Sequence, residues 1–139
     1  MADYKATVES ASWEMSAREK LRYMDFTDVI QIDEATQAGD IIIDVDKWVV
    51  VMVHNEKSDT IDYKKYVIID KEGQVYVTGS ESFWRSFIAI YEVMSDEEEA
   101  VYSIKVYRRE SKNYKGKDFL YIFCPVEFLK YPATKVGRH

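Results

Sequence analysis

The chain has 139 residues, 47% of them apolar and 32% charged, a size and composition that suit one folded domain over 1–139 and exclude a disordered tail or a fibre. With one cysteine, Cys124, and two histidines, it has no material for an internal disulfide framework or a multi-cysteine zinc site, and little for histidine acid–base chemistry. No apolar run approaches the ~18 residues of a membrane span, and the start, MADYKATVES, lacks the apolar stretch of a signal peptide. The expectation is a soluble protein of a reducing cytoplasm, with no membrane partner.

In chain order, Tyr4–Glu9 reads as a first strand. Ser16-Ala17-Arg18-Glu19 is a capping box, with Ser16 capping and Glu19 reaching back, and predicts a short helix to about Met24. Thr27–Asp33, with Val29, Ile30 and Ile32, reads as a strand of imperfect alternation. Lys47–Asn55 (KWVVVMVHN) is a nearly continuous β-branched run, the pattern of a strand buried on both faces. Tyr63–Asp70 and Gln74–Gly79 flank Lys71-Glu72-Gly73, a short connection with glycine where a positive φ is needed, which predicts a β-hairpin.

Ser80 then opens a helix on which Phe83, Phe87, Ile90 and Met94 recur at helical spacing and Trp84, Ile88 and Tyr91 widen the apolar face. It stops near Ser95, where the acids of Asp96–Glu99 oppose the helix dipole. Tyr102–Glu110 and Phe119–Cys124 are two further strands, joined by Ser111–Asp118. The order predicts a mainly β fold with one long helix, arranged as a small oligonucleotide-binding-like barrel or a partly open β-barrel.

The net charge of −6 is unevenly spread: residues 1–102 carry 10 Lys/Arg against 22 Asp/Glu, and residues 103–139 carry 9 against 3. Tyr23–Asp46 holds seven acids and no base. Such segregation is compatible with a plain solvated surface, and equally with a basic face on an acidic protein.

The two C-terminal strands carry the chemistry. On Tyr102–Glu110, period-two alternation puts Tyr102, Ile104 and Val106 on one face and Ser103, Lys105, Tyr107 and Arg109 on the other. On Phe119–Cys124 it separates Leu120, Ile122 and Cys124 from Phe119, Tyr121 and Phe123. The loop between them adds Lys112, Tyr114, Lys115 and Lys117, with Gly116 allowing close backbone approach. Aromatic rings stack on bases without reading sequence, and Lys or Arg track phosphates, so this is the composition of a single-strand binding surface. The competing reading places Phe119, Tyr121 and Phe123 in the core and leaves the basic loop merely solvated.

The run from the Lys-Glu-Gly turn through Gly79-Ser80-Glu81-Ser82-Phe83 to Ser111-Lys112-Asn113-Tyr114-Lys115-Gly116-Lys117-Asp118-Phe119 and a final strand resembles the small single-stranded DNA-binding proteins of tailed phages. The likeness covers about Asp62 to Cys124, and its most specific part is the Ser-Lys-x-x-Lys-Gly-Lys-x-Phe segment. It implies an oligonucleotide-binding-like barrel that coats displaced strands during phage replication in the host cytoplasm, with the lysines of that segment and Phe119 as contacts.

Other signals are weaker. Asp44-x-Asp46 reads as a solvated turn rather than a metal site, His54 as a hydrogen-bonded strand-end residue rather than a base, and Cys124 as a small buried hydrophobe. Trp13, Trp48 and Trp84 read as core or core-edge residues. No Gly-rich phosphate loop, Ser/His/Asp set or paired-cysteine motif points to an enzyme, a cofactor or a metal.

The leading expectation is therefore a single-stranded DNA-binding protein of little sequence preference, stacking through Tyr107, Tyr114, Phe119 and Tyr121 and holding phosphate through Lys105, Arg109, Lys112, Lys115 and Lys117. Its rival is a protein-binding module with a host or phage protein partner, or an inhibitor of a host nucleic-acid-binding protein, acting through the acidic stretches. On the first reading Lys115→Glu weakens binding to every oligonucleotide sequence alike, measured by titration against several strands of equal length; unchanged affinity would remove the loop from the site.

Overall fold

A computed structural model of the chain describes residues 4–95, 102–110 and 118–123. The architecture is mainly β. Among the described residues it has seven strands and three helices in the order β1 (Tyr4–Ala11), α1 (Ala17–Tyr23), β2 (Ile30–Gln31), α2 (Ile32–Ala38), β3 (Ile41–Asn55), β4 (Asp62–Asp70), β5 (Val75–Thr78), α3 (Glu81–Met94), β6 (Ser103–Glu110) and β7 (Asp118–Phe123). Two compact units divide the chain: Met1–Ile32 with Asp46–Gly79, and Asp33–Val45 with Ser80–His139. The 15-residue strand β3 supplies its later residues to the first unit and its opening residues to the second.

In the first unit, β3 pairs antiparallel with β1 from Val49↔Ala11 to Asn55↔Tyr4, with a bulge between Val8 and Ser10. β4 neighbours β3, β5 pairs antiparallel with β4, and β2 adds a short parallel pairing to β5 at Ile30↔Tyr76 and Gln31↔Val77. Val49, Val51, Val53, Val67, Ile69, Val75 and Val77 make one buried cluster with Tyr23, the spacing of two that a pleated sheet imposes. Only over Val49–Val51 is β3 buried on both faces; beyond that burial alternates. Trp13 packs on the cluster edge, its ring edge-on to Tyr23 at 5.8 Å and under the Lys47 ammonium at 4.5 Å.

Local chemistry sets the ends of these elements. Ser16 Oγ accepts from the Glu19 N–H at 3.1 Å and Glu19 Oε1 accepts from the Ser16 N–H at 2.9 Å, so both halves of the capping box are made. Those hydrogen bonds, with one from Trp13 Nε1 at 3.3 Å, hold the Glu19 carboxyl below its ordinary pKa. At the β4–β5 turn, Asp70 Oδ1 accepts from the Glu72 and Gln74 N–H groups at 2.9 and 2.8 Å, and Gly73 adopts φ +88°, where a Cβ would be strained.

In the second unit, β3 pairs antiparallel with β6 from Ile41↔Val106 to Asp44↔Ser103, and β6 with β7 from Lys105↔Phe123 to Glu110↔Asp118. Helix α3, capped by Ser80 Oγ on the Phe83 N–H at 3.2 Å, packs beside β7. It buries Phe83, Trp84 and Phe87, and the Trp84 and Phe87 rings stack at 4.9 Å.

Three sequence expectations need correction. Helix is not confined to one long segment: α3 has 14 residues, and α1 and α2 have seven each. Thr27–Asp33 is a strand only at Ile30–Gln31, because Asp33 and Glu34 fall in a helical first turn where the dipole favours acids, and Ala35 and Ala38 are good helix formers. The central strand starts at Ile41 rather than Lys47, so Asp44 and Asp46 sit within β3 and not in a turn.

The α3 core carries a direct expectation. Phe87→Ala removes a wholly buried ring and should cost about 3–5 kcal/mol in urea unfolding, whereas Leu21→Ala, at a side chain 67% exposed, should stay within about 0.5 kcal/mol.

Candidate nucleic-acid interface

The β6–β7 register assembles the sequence-predicted face. Because Tyr107 pairs with Tyr121, and Arg109 with Phe119, the outward residues of the two strands stand directly side by side. The Tyr107 and Tyr121 rings stack at 5.7 Å with 25° between their planes. The Arg109 guanidinium lies 4.6 Å from the Tyr107 ring centroid and donates to the Arg108 carbonyl at 2.8 Å. Phe119 and Tyr121 are each 38% exposed, which places them on the open face and not in the core. The opposite parity is buried at Ile104, Val106 and Leu120.

Lys105, Tyr107, Arg109, Phe119 and Tyr121 are thus gathered on one surface. Lys112, Tyr114, Lys115, Lys117 and Cys124 lie outside the described residues. Arg108 shares its parity with the buried residues and does a different job: its Nε donates to Thr36 Oγ1 at 3.3 Å and its terminal nitrogen to the Asp33 carbonyl at 3.2 Å, tying β6 to α2.

β3 brings two residues that the alternation on β6 and β7 does not reveal. Ile42 pairs with Lys105 and is 50% exposed, extending the apolar part of the face. Asp40, one residue before β3, has carboxylate oxygens 3.6 Å from Lys105 Nζ and 3.9 Å from an Arg109 nitrogen. The available sequence signal was the Ile41-Ile42-Ile43 run, which continues β3 back past Lys47. On the far side of β7, Phe119 and Tyr121 also line a groove of about 370 Å³ with Leu120, Ile122, Ser82 and Ser86.

The remaining chemistry of the described residues is structural or acidic. Asp44 accepts from Ser103 Oγ, and Asp46 lies 3.8 Å from Lys71 Nζ. Among the described residues no group of three or more His, Cys, Asp or Glu is arranged to hold a metal ion, and no helix is long and apolar enough to cross a membrane. A cleft of about 410 Å³ in the first unit presents Asp25, Asp28 and Glu72 against Arg22, the wrong balance for a polyanion.

His54, at the end of β3, is held by Glu56 at 3.1 Å and Asp62 at 2.7 Å, and these hydrogen bonds raise its pKa above the ordinary 6.5. A raised folded-state value means that its stabilising contribution is fully present below about pH 6.5 and is lost as pH rises through the folded value. His54→Gln should therefore lower the melting temperature near about pH 5.5 and leave it nearly unchanged near about pH 8.5; equal losses at both would remove the charge-assisted pair as the cause.

No protein-family model, curated protein or solved structure matches the chain.

Proposed function

We propose that the protein binds single-stranded DNA with little sequence preference, through the outward face of β6 and β7, on a partly open oligonucleotide-binding-like barrel. The single observation that carries the reading is the stacked, solvent-facing Tyr107–Tyr121 pair with Arg109 on one ring and Phe119 beside it. Exposed parallel aromatic surface is costly to leave in water and suits the flat face of an unpaired base, while Lys105 and Arg109 suit the backbone between bases. The likeness of about 62–124 to the phage single-strand binding proteins points the same way and suggests a replication accessory acting in the host cytoplasm. Neither a cofactor nor a metal enters this function, and no reaction is catalysed.

A protein-binding role has one observation in its favour, the acid-rich cleft formed by Asp25, Asp28 and Glu72, which suits a basic peptide better than nucleic acid. It predicts a complex with a basic protein partner and no oligonucleotide binding.

Fluorescence anisotropy with a labelled thymine oligonucleotide separates the two. Single-strand binding predicts saturable association that weakens as salt rises, and a loss of roughly 5- to 150-fold for Tyr121→Ala, the equivalent of ~1–3 kcal/mol per stacked base. Absence of association at low salt would overturn the single-strand reading and favour the acidic cleft.

A further inference from the structure

We propose that Asp40 is a built-in stand-in for a ligand phosphate, and that it makes this face select strands with exposed bases over polyanions that offer phosphate alone. The inference deepens the single-strand reading and rests on it. Lys105 and Arg109 lie four residues apart on β6 with Tyr107 midway between them, and the register Ile41↔Val106 brings Asp40 level with that gap. Its two carboxylate oxygens face the two cations separately, at 3.6 Å to Lys105 Nζ and 3.9 Å to the Arg109 guanidinium. A phosphate arriving between these side chains meets the same pair of donors that Asp40 already engages.

The pairs are loose and solvent-exposed, with the Asp40 side chain 39% accessible, so they hold the cations weakly and can be exchanged for a ligand anion. Until they are exchanged, the described part of the face offers two positive charges against one negative. Sequence-independent attraction to nucleic acid grows with the number of phosphates neutralised, so sharing both cations with a carboxylate suppresses that term. What remains is stacking on Tyr107, Tyr121 and Phe119, which requires bases that are not paired in a duplex. The repulsion from Asp40 is also greater for a duplex, whose phosphates are denser than those of a flexible single strand.

The test uses the full chain with a labelled thymine oligonucleotide and a blunt duplex of equal length, titrated over a range of salt. Asp40→Asn keeps the side-chain shape and removes the charge. It should bind the thymine strand about fivefold more tightly at low salt, the scale of an exposed ion pair. The slope of log affinity against log salt should become more negative by up to about 1.4, two phosphate contacts at ~0.7 each. Duplex affinity should rise by a larger factor than strand affinity, so selectivity falls. Asp40→Ser repeats the comparison if the Asn variant melts at lower temperature.

A wild type that binds through Tyr121, with Asp40→Asn no tighter and its salt slope unchanged, overturns the role of Asp40 alone and makes it a brace for Lys105 and Arg109. If neither wild type nor Asp40→Asn binds the thymine strand, the single-strand reading falls and the inference falls with it.

Discussion

The antiparallel register of β6 against β7 is the constraint on which the candidate interface depends. Side chains alternate with a period of two, so a slip of one residue would carry Lys105, Tyr107 and Arg109 to the buried side and bring Ile104 and Val106 into water. Burial of Ile104, Val106 and Leu120 makes that slip costly, at roughly 25 cal/mol per Å² of apolar surface exposed. Arg108, on the buried parity of β6, adds polar bonds to Thr36 Oγ1 and the Asp33 carbonyl that a flipped β6 would lose. The Tyr107–Tyr121 stack is thus a consequence of burial on the other face of the same two strands.

Three neighbouring cations on β6 have three different fates. Arg108 points toward α2 and is consumed by backbone and hydroxyl acceptors; Arg109 lies on an aromatic ring; Lys105 faces Asp40. Counting Lys and Arg along β6 would treat them as equivalent. Their distance to a carboxylate, a ring or a carbonyl sets how much charge each still offers to a ligand, and that distance is a property of the sheet. An acidic chain and a locally basic strand are compatible for the same reason, because local charge counts for more than the total.

Strand β3 links the two units through its length. Its valines at 49, 51 and 53 belong to the first unit's core, whereas Ile41–Asp44 form the edge of the β6 pairing in the second. The placement of Ile42 and Asp40 beside Lys105 follows from this extension of β3 toward the N-terminus. A shorter β3, starting at Lys47, would leave β6 without either neighbour.

Several features were legible in the sequence because their signals are local. The capping box at Ser16–Glu19, the Ser80 cap, the glycine turn at Gly73 and the apolar spacing of α3 each lie within one element or turn. Lys105, Tyr107 and Arg109 on β6 and Phe119 and Tyr121 on β7 were legible for the same reason, since alternation is a property of a single strand, whereas Ser103, of the same parity, is buried against Asp44. Helix α2 was not: Val29, Ile30 and Ile32 look like strand residues, and the acids of the first helical turn prevail from Ile32 onward. The sequence by itself determined which side chains share a face and where most elements begin and end, through backbone geometry and capping chemistry. Only the tertiary structure decided that Tyr107 meets Tyr121 and that Asp40 stands against Lys105 and Arg109, because strand register and ion pairing between distant segments are chosen by burial where β3, β6 and β7 pair.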